Sequence, residues 1–350
     1  MNVHLPVRKA ILQRRTYEAP AEGRAAKIRL DFNENTRGCG PAALHALRKL
    51  SPKEIATYPE YAAPTRKIAR YFRVQPGELA LTNGGDDALR VFFDTFVEPH
   101  SQVLICEPTF PMYRYYAEIA GARVHSLRYG PNMEFPLDAA LDALRMKPRV
   151  FFLANPNNPT GTLVGKEVIR KLLRAATHSV VVMDEAYAEF SGLTVVPWIR
   201  KYSQLFVART FSKAEGLAGL RLGAVLGRRD SLALVRRALP PYPVNIAALA
   251  ASVAAVEEGT SIARYVSDVK RLRTWFAQEL EKRNVRVYPS AANFLVADFG
   301  KAGPAFFRKL ARHGILVRER SHDLGPGFAR ITIGTEAELK KLLRLFERNS

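Results

Sequence analysis

Four short apolar runs mark the middle of the chain: Val103-Leu104-Ile105-Cys106, Val150-Phe151-Phe152-Leu153, Ser179-Val180-Val181-Val182-Met183 and Leu205-Phe206-Val207-Ala208. None alternates with polar residues as a strand with one wet face would, so each reads as a strand buried on both faces of a largely parallel sheet. Between the second and third, Lys166 to Ala176 places Val168, Ile169, Leu172 and Leu173 at helical spacing, the pattern of a crossover helix lying on such a sheet. The central region is therefore expected to be an α/β lobe. The pattern changes after Pro240-Pro241-Tyr242-Pro243: Ile246 to Glu281 is helix-rich, and Val285–Val287, Phe294–Val296, Ile315–Val317 and Ile331–Ile333 suggest the strands of a smaller lobe. On this reading residues 38–240 form the larger domain, and 1–37 together with 241–350 the smaller one.

Composition narrows the class. With 350 residues, 47% of them hydrophobic, the chain can bury the cores of two lobes. No apolar run approaches the ~18 residues of a membrane span, and the basic stretch Met1 to Thr16 is not followed by an apolar segment and cleavage site. A cytoplasmic location is expected. Cys39 and Cys106 are too few for a disulfide framework or a structural zinc site, so no metal is expected. The 53 basic and 33 acidic residues leave a formal charge of +20, clustered at Arg228-Arg229, Arg236-Arg237, Arg271-Arg273 and Lys340-Lys341. Such a field attracts anions. Zinc-finger spacing, ribonucleoprotein motifs and leucine heptads are all missing, which argues against specific nucleic-acid binding and leaves a solvated basic surface that can also steer phosphorylated metabolites.

Three segments that follow expected strands carry candidate chemistry, because ligands in open α/β folds sit at the carboxyl ends of the strands. Thr210-Phe211-Ser212-Lys213 leads into Gly216, Gly219, Arg221 and Gly223. Its two hydroxyls and the guanidinium of Arg221 could hold a phosphate dianion, although a lysine among glycines is equally a solvated loop residue. Asn155-Pro156-Asn157-Asn158-Pro159-Thr160-Gly161 is either a tight turn or a presented set of amides. Asp184-Glu185-Ala186-Tyr187 ends another strand, and its first carboxylate could cap a helix or face a ligand.

Taken in order, turn, acid with tyrosine, then lysine with hydroxyls and arginine, these pieces resemble the fold-type I pyridoxal-phosphate-dependent aminotransferases, in particular the histidinol-phosphate aminotransferase family. The likeness runs over nearly the whole chain. Supporting motifs are Leu30-Asp31-Phe32-Asn33-Glu34-Asn35, Tyr58-Pro59, Thr82-Asn83-Gly84-Gly85-Asp86-Asp87, Pro108-Thr109-Phe110-Pro111-Met112-Tyr113 and Ala329-Arg330-Ile331-Thr332-Ile333-Gly334-Thr335. Gly85, Asp87 and Thr36 depart from that family's usual Ser or Ala, Glu and Pro.

The resemblance implies a large domain with a mostly parallel, seven-stranded-type sheet, a smaller α+β domain, and pyridoxal 5'-phosphate as cofactor. It implies that Lys213 binds the cofactor as a Schiff base and, once freed, moves the substrate proton. Asp184 would keep the pyridine nitrogen protonated, Asn158 and Tyr187 would donate to the ring hydroxyl oxygen, and Tyr113 would stack on the ring unless it is a core aromatic. Gly85 and Asp86 at a helix start, with Thr210, Ser212 and Arg221, would hold the phosphate. Tyr58 would reach across from a second subunit, making the enzyme a homodimer. Arg330, Arg318, Tyr17 and Asn33 would contact the substrate. The implied reaction, a step of histidine biosynthesis, converts L-histidinol phosphate and 2-oxoglutarate to imidazole-acetol phosphate and L-glutamate. A threonine-phosphate-type decarboxylase and an aromatic or broad-specificity aminotransferase resemble the same pattern, because the bond broken at Cα depends on pocket geometry. A basic binding protein that kept the fold would be expected to lack one of Lys213, Asp184 or Arg221, and all three are present.

Overall fold

The computed structural model describes residues 5–12 and 23–347. Its strands are β1 (Ile28–Leu30), β2 (Leu79–Thr82), β3 (Gln102–Glu107), β4 (Arg123–Arg128), β5 (Val150–Ala154), β6 (Val180–Asp184), β7 (Leu205–Thr210), β8 (Gly223–Gly227), β9 (Arg286–Tyr288), β10 (Phe294–Asp298), β11 (Ile315–Glu319) and β12 (Phe328–Thr332). The four apolar runs became β3, β5, β6 and β7. With their neighbours they form a seven-stranded sheet in the order β2-β8-β7-β6-β5-β3-β4. β3 to β7 pair in parallel, while β8 runs antiparallel to both β7 and β2. Every residue of β5 and β7 is buried, as uniform apolarity requires of strands covered on both faces. The helix Lys166–Ala175 supplies part of that cover through Ile169, Leu172 and Leu173.

A second sheet, β1-β11-β12-β10-β9, backs the smaller lobe. Only β1 pairs in parallel there, with β11, so residues from near the chain start join the C-terminal lobe. The proline break does not mark the change of lobe. The helix Ile246–Glu258 buries Ala248, Leu249, Ala251 and Ala255 in the same core as Leu104 and Phe151 of the larger lobe. The next helix, Thr260–Glu281, contributes Ile262, Val269, Leu272 and Phe276 to the core of the smaller one. The two helices bend by 74° about Gly259, whose φ of 63° is left-handed. The expected boundary near residue 240 therefore moves to Gly259, because the alanine-rich helix before it lies closely against the helix Pro41–Arg48 and belongs to the larger lobe.

On one face of the large sheet Phe152 is stacked 4.9 Å from Phe93 and 5.3 Å from Tyr113. Truncating a fully buried ring that supports two others leaves a cavity, so Phe152→Ala is expected to cost about 3–5 kcal/mol of stability. Urea unfolding checks it: the midpoint should fall with an unchanged slope.

Candidate active site

A cavity of about 690 Å³ opens where β5, β6 and β7 end, facing the smaller lobe. Lys213, Asp184, Tyr187, Asn158, Thr210, Ser212, Arg221, Gly85, Asp86, Arg318 and Arg330, although remote in sequence, all line it. Parallel strands make this possible: each ends at the same edge of the sheet and releases its loop there.

At one end, the helix Gly84–Phe96 points its amino terminus into the cavity beside Thr210. The Thr210 hydroxyl donates to Ser212 Oγ at 3.0 Å, and the Ser212 amide donates to Thr210 Oγ1 at 3.2 Å. Arg221 Nη2 lies 3.1 Å from Asp86 Oδ2. A Cβ on Gly84, where φ is +85°, would stand 2.7 Å from that same nitrogen, and a Cβ on Gly223 would stand 2.5 Å from the Gly84 carbonyl carbon. Glycine is required at both positions for the backbone to come this close. Free helix amides, two hydroxyls and a guanidinium make a cradle that suits a phosphate dianion.

In the middle, Asp184 borders the cavity but is otherwise enclosed. The Tyr113 hydroxyl donates to its Oδ2 at 2.6 Å and the Ala186 amide to its Oδ1 at 3.0 Å. Burial raises its pKa; the Tyr113 hydrogen bond and the Ala186 amide oppose that rise, as does the nearby Lys213 ammonium. A carboxylate so fixed seeks a cation, and a protonated ring nitrogen is one. Lys213 Nζ donates to the Phe32 carbonyl at 3.0 Å. Burial, then repulsion by Arg330, brings its pKa from 10.5 down to about 8. Below that value the ammonium predominates and is not nucleophilic; above it the free amine does. Covalent capture of the cofactor by the apoenzyme is therefore expected to speed up about tenfold per pH unit up to pH ~8 and then level off, as stopped-flow absorbance would record.

At the far end stands Arg330. Its Nη1 donates to Asn158 Oδ1 and its Nη2 to the Asp31 carbonyl, while Nε is buried without a partner. Both contacts are to neutral oxygens, so no carboxylate is hydrogen-bonded to the guanidinium and its charge is left for an incoming anion. Burial, with repulsion from Arg320 and Arg318 against attraction from Tyr187, lowers its pKa to about 10. The Asn158 amide hydrogens remain free of this contact and can serve a ring oxygen.

One sequence expectation changes. Tyr113 cannot stack on a cofactor: it is fully buried, its ring lies against Phe152, and its hydroxyl is committed to Asp184. The other aromatic there that lines the cavity is Phe110, packed edge-on to Tyr113 at 5.9 Å and more exposed than it. Asn33 lines the cavity, but its Nδ2 donates to the Tyr187 hydroxyl at 2.9 Å and its Oδ1 accepts from Thr332 at 3.2 Å. It therefore orients Tyr187, leaving the tyrosine proton to be given elsewhere. Tyr58 is 77% exposed and stacks on Tyr242 away from this chain's cavity. Tyr17 lies outside the described residues. Sequence reading passed over Phe110, Glu34, Arg320 and His322, all of which line the cavity. The alternation Arg318, Arg320, His322 was the available signal, since residues two apart in a strand share a face.

Comparison with known proteins agrees with this geometry. The family profile described as aminotransferase class I and II matches residues 25–346. Histidinol-phosphate aminotransferase of Geobacillus sp. (strain WCH70) is 34% identical over 323 residues, covering 90% of this chain and 88% of the relative. That of Bacillus subtilis (strain 168) is 32% identical over 325 residues, covering 91% and 90%. Among solved structures, histidinol-phosphate aminotransferase from Sinorhizobium meliloti in complex with pyridoxal-5'-phosphate superposes with a TM-score of 0.90 at 24% identity, over 100% of each chain. L-threonine-O-3-phosphate decarboxylase from Porphyromonas gingivalis gives 0.80 at 22% identity, over 92% of this chain and 99% of that one. These two likenesses concern the fold. The family match over nearly the whole chain and the assembled site lead to one conclusion: this chain belongs to the class I and II aminotransferases.

Proposed function

We propose that this chain is a pyridoxal-phosphate-dependent histidinol-phosphate aminotransferase acting in histidine biosynthesis. The observation that carries the reading is the two-poled cavity: an anion cradle at Arg221 and a cluster of arginines at Arg330, with Lys213 and Asp184 between them. One pole suits the cofactor's phosphate and the other an anionic substrate. Relatives 32–34% identical over about nine-tenths of the chain carry that name.

The residues present fit the cofactor. Gly85, Asp86, Thr210, Ser212 and Arg221 would hold its phosphate, Asp184 its ring nitrogen, Asn158 and Tyr187 its ring hydroxyl oxygen, and Phe110 would cover the ring. Bound pyridoxal phosphate supplies an electrophilic carbon for the substrate amine and a conjugated ring that takes up the electron pair of the broken Cα–H bond. Lys213, whose pKa burial and Arg330 bring down to about 8, provides the attacking amine through its deprotonated form. Once free, its Nζ would be the base that takes up the substrate's Cα proton and the acid that gives it back. Asp184, held by Tyr113 and Ala186, keeps the proton on the ring nitrogen. Arg330 orients the substrate's anionic end, and the direction of that grip selects the Cα–H bond for cleavage.

Assembly as a homodimer is part of the reading. Tyr58 and Tyr242 form an exposed stack at 4.3 Å, with Leu44 and Ile55 also exposed on the neighbouring helices. Apolar side chains grouped in this way are what a second copy would cover.

The test supplies the loaded enzyme with L-histidinol phosphate and 2-oxoglutarate, and separately with O-phosphothreonine. Glutamate formed from the first pair supports the proposal. Carbon dioxide released from the second would favour the decarboxylase, and inactivity with both would leave the family but not this substrate.

A further inference from the structure

Cross-strand register sets Arg318 on β11 directly opposite Arg330 on β12, so the two guanidiniums share a face. The next residue on that face is Arg320, whose amide donates to the Phe328 carbonyl at 2.9 Å and whose own carbonyl accepts from Leu324 at 2.9 Å. The resulting tight turn lifts His322 to the cavity mouth, and Leu324 and Phe328 anchor the turn against Met133, Tyr288 and Val296. Arg320 is ion-paired with Asp323, and the His322 imidazole stands 3.8 Å from the same carboxylate, whose other oxygen is buried without a hydrogen bond. The His322 side chain is 62% exposed and that of Arg320 only 5%. Three guanidiniums and an imidazole thus gather at this end of the cavity, where Asp323 pairs with Arg320 and stands near His322; Glu34, another acid of the wall, is taken by Arg24 and Arg29. That is more positive charge than a single carboxylate needs.

The shape of the anion decides what the surplus can do. A carboxylate is planar with two oxygens, and one guanidinium fork satisfies both. A phosphate monoester has three outer oxygens in a tetrahedral array, so when the buried arginines hold the inner ones at least one points back toward the mouth. His322 is the side chain stationed there, its imidazole beside Asp323 and able to donate a hydrogen bond outward.

Resting on the function proposed above, we infer that His322, carried on the Arg320–Leu324 turn, is a specificity-determining contact for the phosphate of the amino donor and plays no part in holding the dicarboxylate partner. The two substrates that alternate in one site would then be told apart by a residue only one of them reaches.

Steady-state kinetics of the loaded enzyme test this with His322→Ala and His322→Arg. For His322→Ala, KM for histidinol phosphate is expected to rise about tenfold with kcat unchanged, the loss of one charge-assisted hydrogen bond made equally to ground and transition states. KM for glutamate in the reverse direction should stay within about twofold, and His322→Arg should restore the donor's KM because a guanidinium again offers the phosphate a hydrogen-bond donor. An unchanged donor KM, or an equal rise for both substrates, overturns the inference while leaving the proposed function standing. A wild-type enzyme that turns over no histidinol phosphate overturns both.

Discussion

Replacing Lys213 by alanine is expected to abolish covalent cofactor binding and to lower transamination by at least about 10³-fold, since one side chain supplies both the attacking amine and the proton-transfer base. The cradle at Gly85, Thr210 and Arg221 is untouched by the change, so the variant should still bind the cofactor noncovalently, with the free aldehyde's absorbance in place of the lysine-bound form's. Lys213→Arg tests the same point more sharply. It keeps a cation near the Phe32 carbonyl, the present partner of Nζ, but a guanidinium remains protonated at any working pH and cannot attack. Equal inactivity of both variants, with native circular dichroism, would separate loss of chemistry from loss of fold. Activity in the arginine variant would mean that charge, not nucleophilicity, is what position 213 contributes.

Asp184→Asn is the second large effect. The substitution preserves size: with its amide oxygen on the Ala186 amide, its Nδ2 faces the Tyr113 hydroxyl oxygen and can donate to it, so the enclosure of the site should survive. What disappears is the negative charge that holds a proton on the ring nitrogen. The electron pair released at Cα then has a poorer sink, and a fall in kcat of about 10²–10³-fold is expected, comparable with removing a preorganised electrostatic partner elsewhere in catalysis. Substrate KM should change little, because Asp184 sits away from the Arg330 pole. Rapid-mix measurement of the first half-reaction would locate the defect in the chemical step; a KM effect with normal kcat would place Asp184 in substrate binding.

The parts of this fold legible in the sequence are those governed by local pattern. β3, β5, β6 and β7 were visible because strands buried on both faces must be apolar throughout. β4, Arg-Val-His-Ser-Leu-Arg, was not: it is a sheet edge with exposed arginines at either end, and nothing in its composition separates it from a loop. β8 was hidden by the glycines at both its ends, one of which is needed for the close approach to Gly84. The lobe boundary was misplaced because Pro240 to Pro243 is a surface break, whereas the change of partner happens at Gly259, inside what periodicity shows as continuous helix.

The site divides in the same way. Tyr187 and Lys213 follow strands, Asp184 ends one and Arg330 lies within another, and the order of their motifs along the chain exposed them. The distinction between Phe110 and Tyr113 depends on which ring is stacked on Phe152, a matter of three residues across the start of the helix Met112–Ile119 that no linear pattern encodes. The part Asn33 plays in orienting Tyr187 was hidden for a similar reason: it follows from a left-handed backbone, φ 56°, and from hydrogen bonds to Tyr187 and Thr332 that join residues remote in sequence.

The central claim is that the cofactor is held by Lys213 within this cavity. The most direct measurement is borohydride reduction of the loaded enzyme, which fixes the cofactor to its lysine, followed by peptide mass spectrometry. One reduced cofactor per chain on the peptide containing Lys213, abolished in Lys213→Ala, is the expected result. Label on another lysine, or none on any, would contradict it.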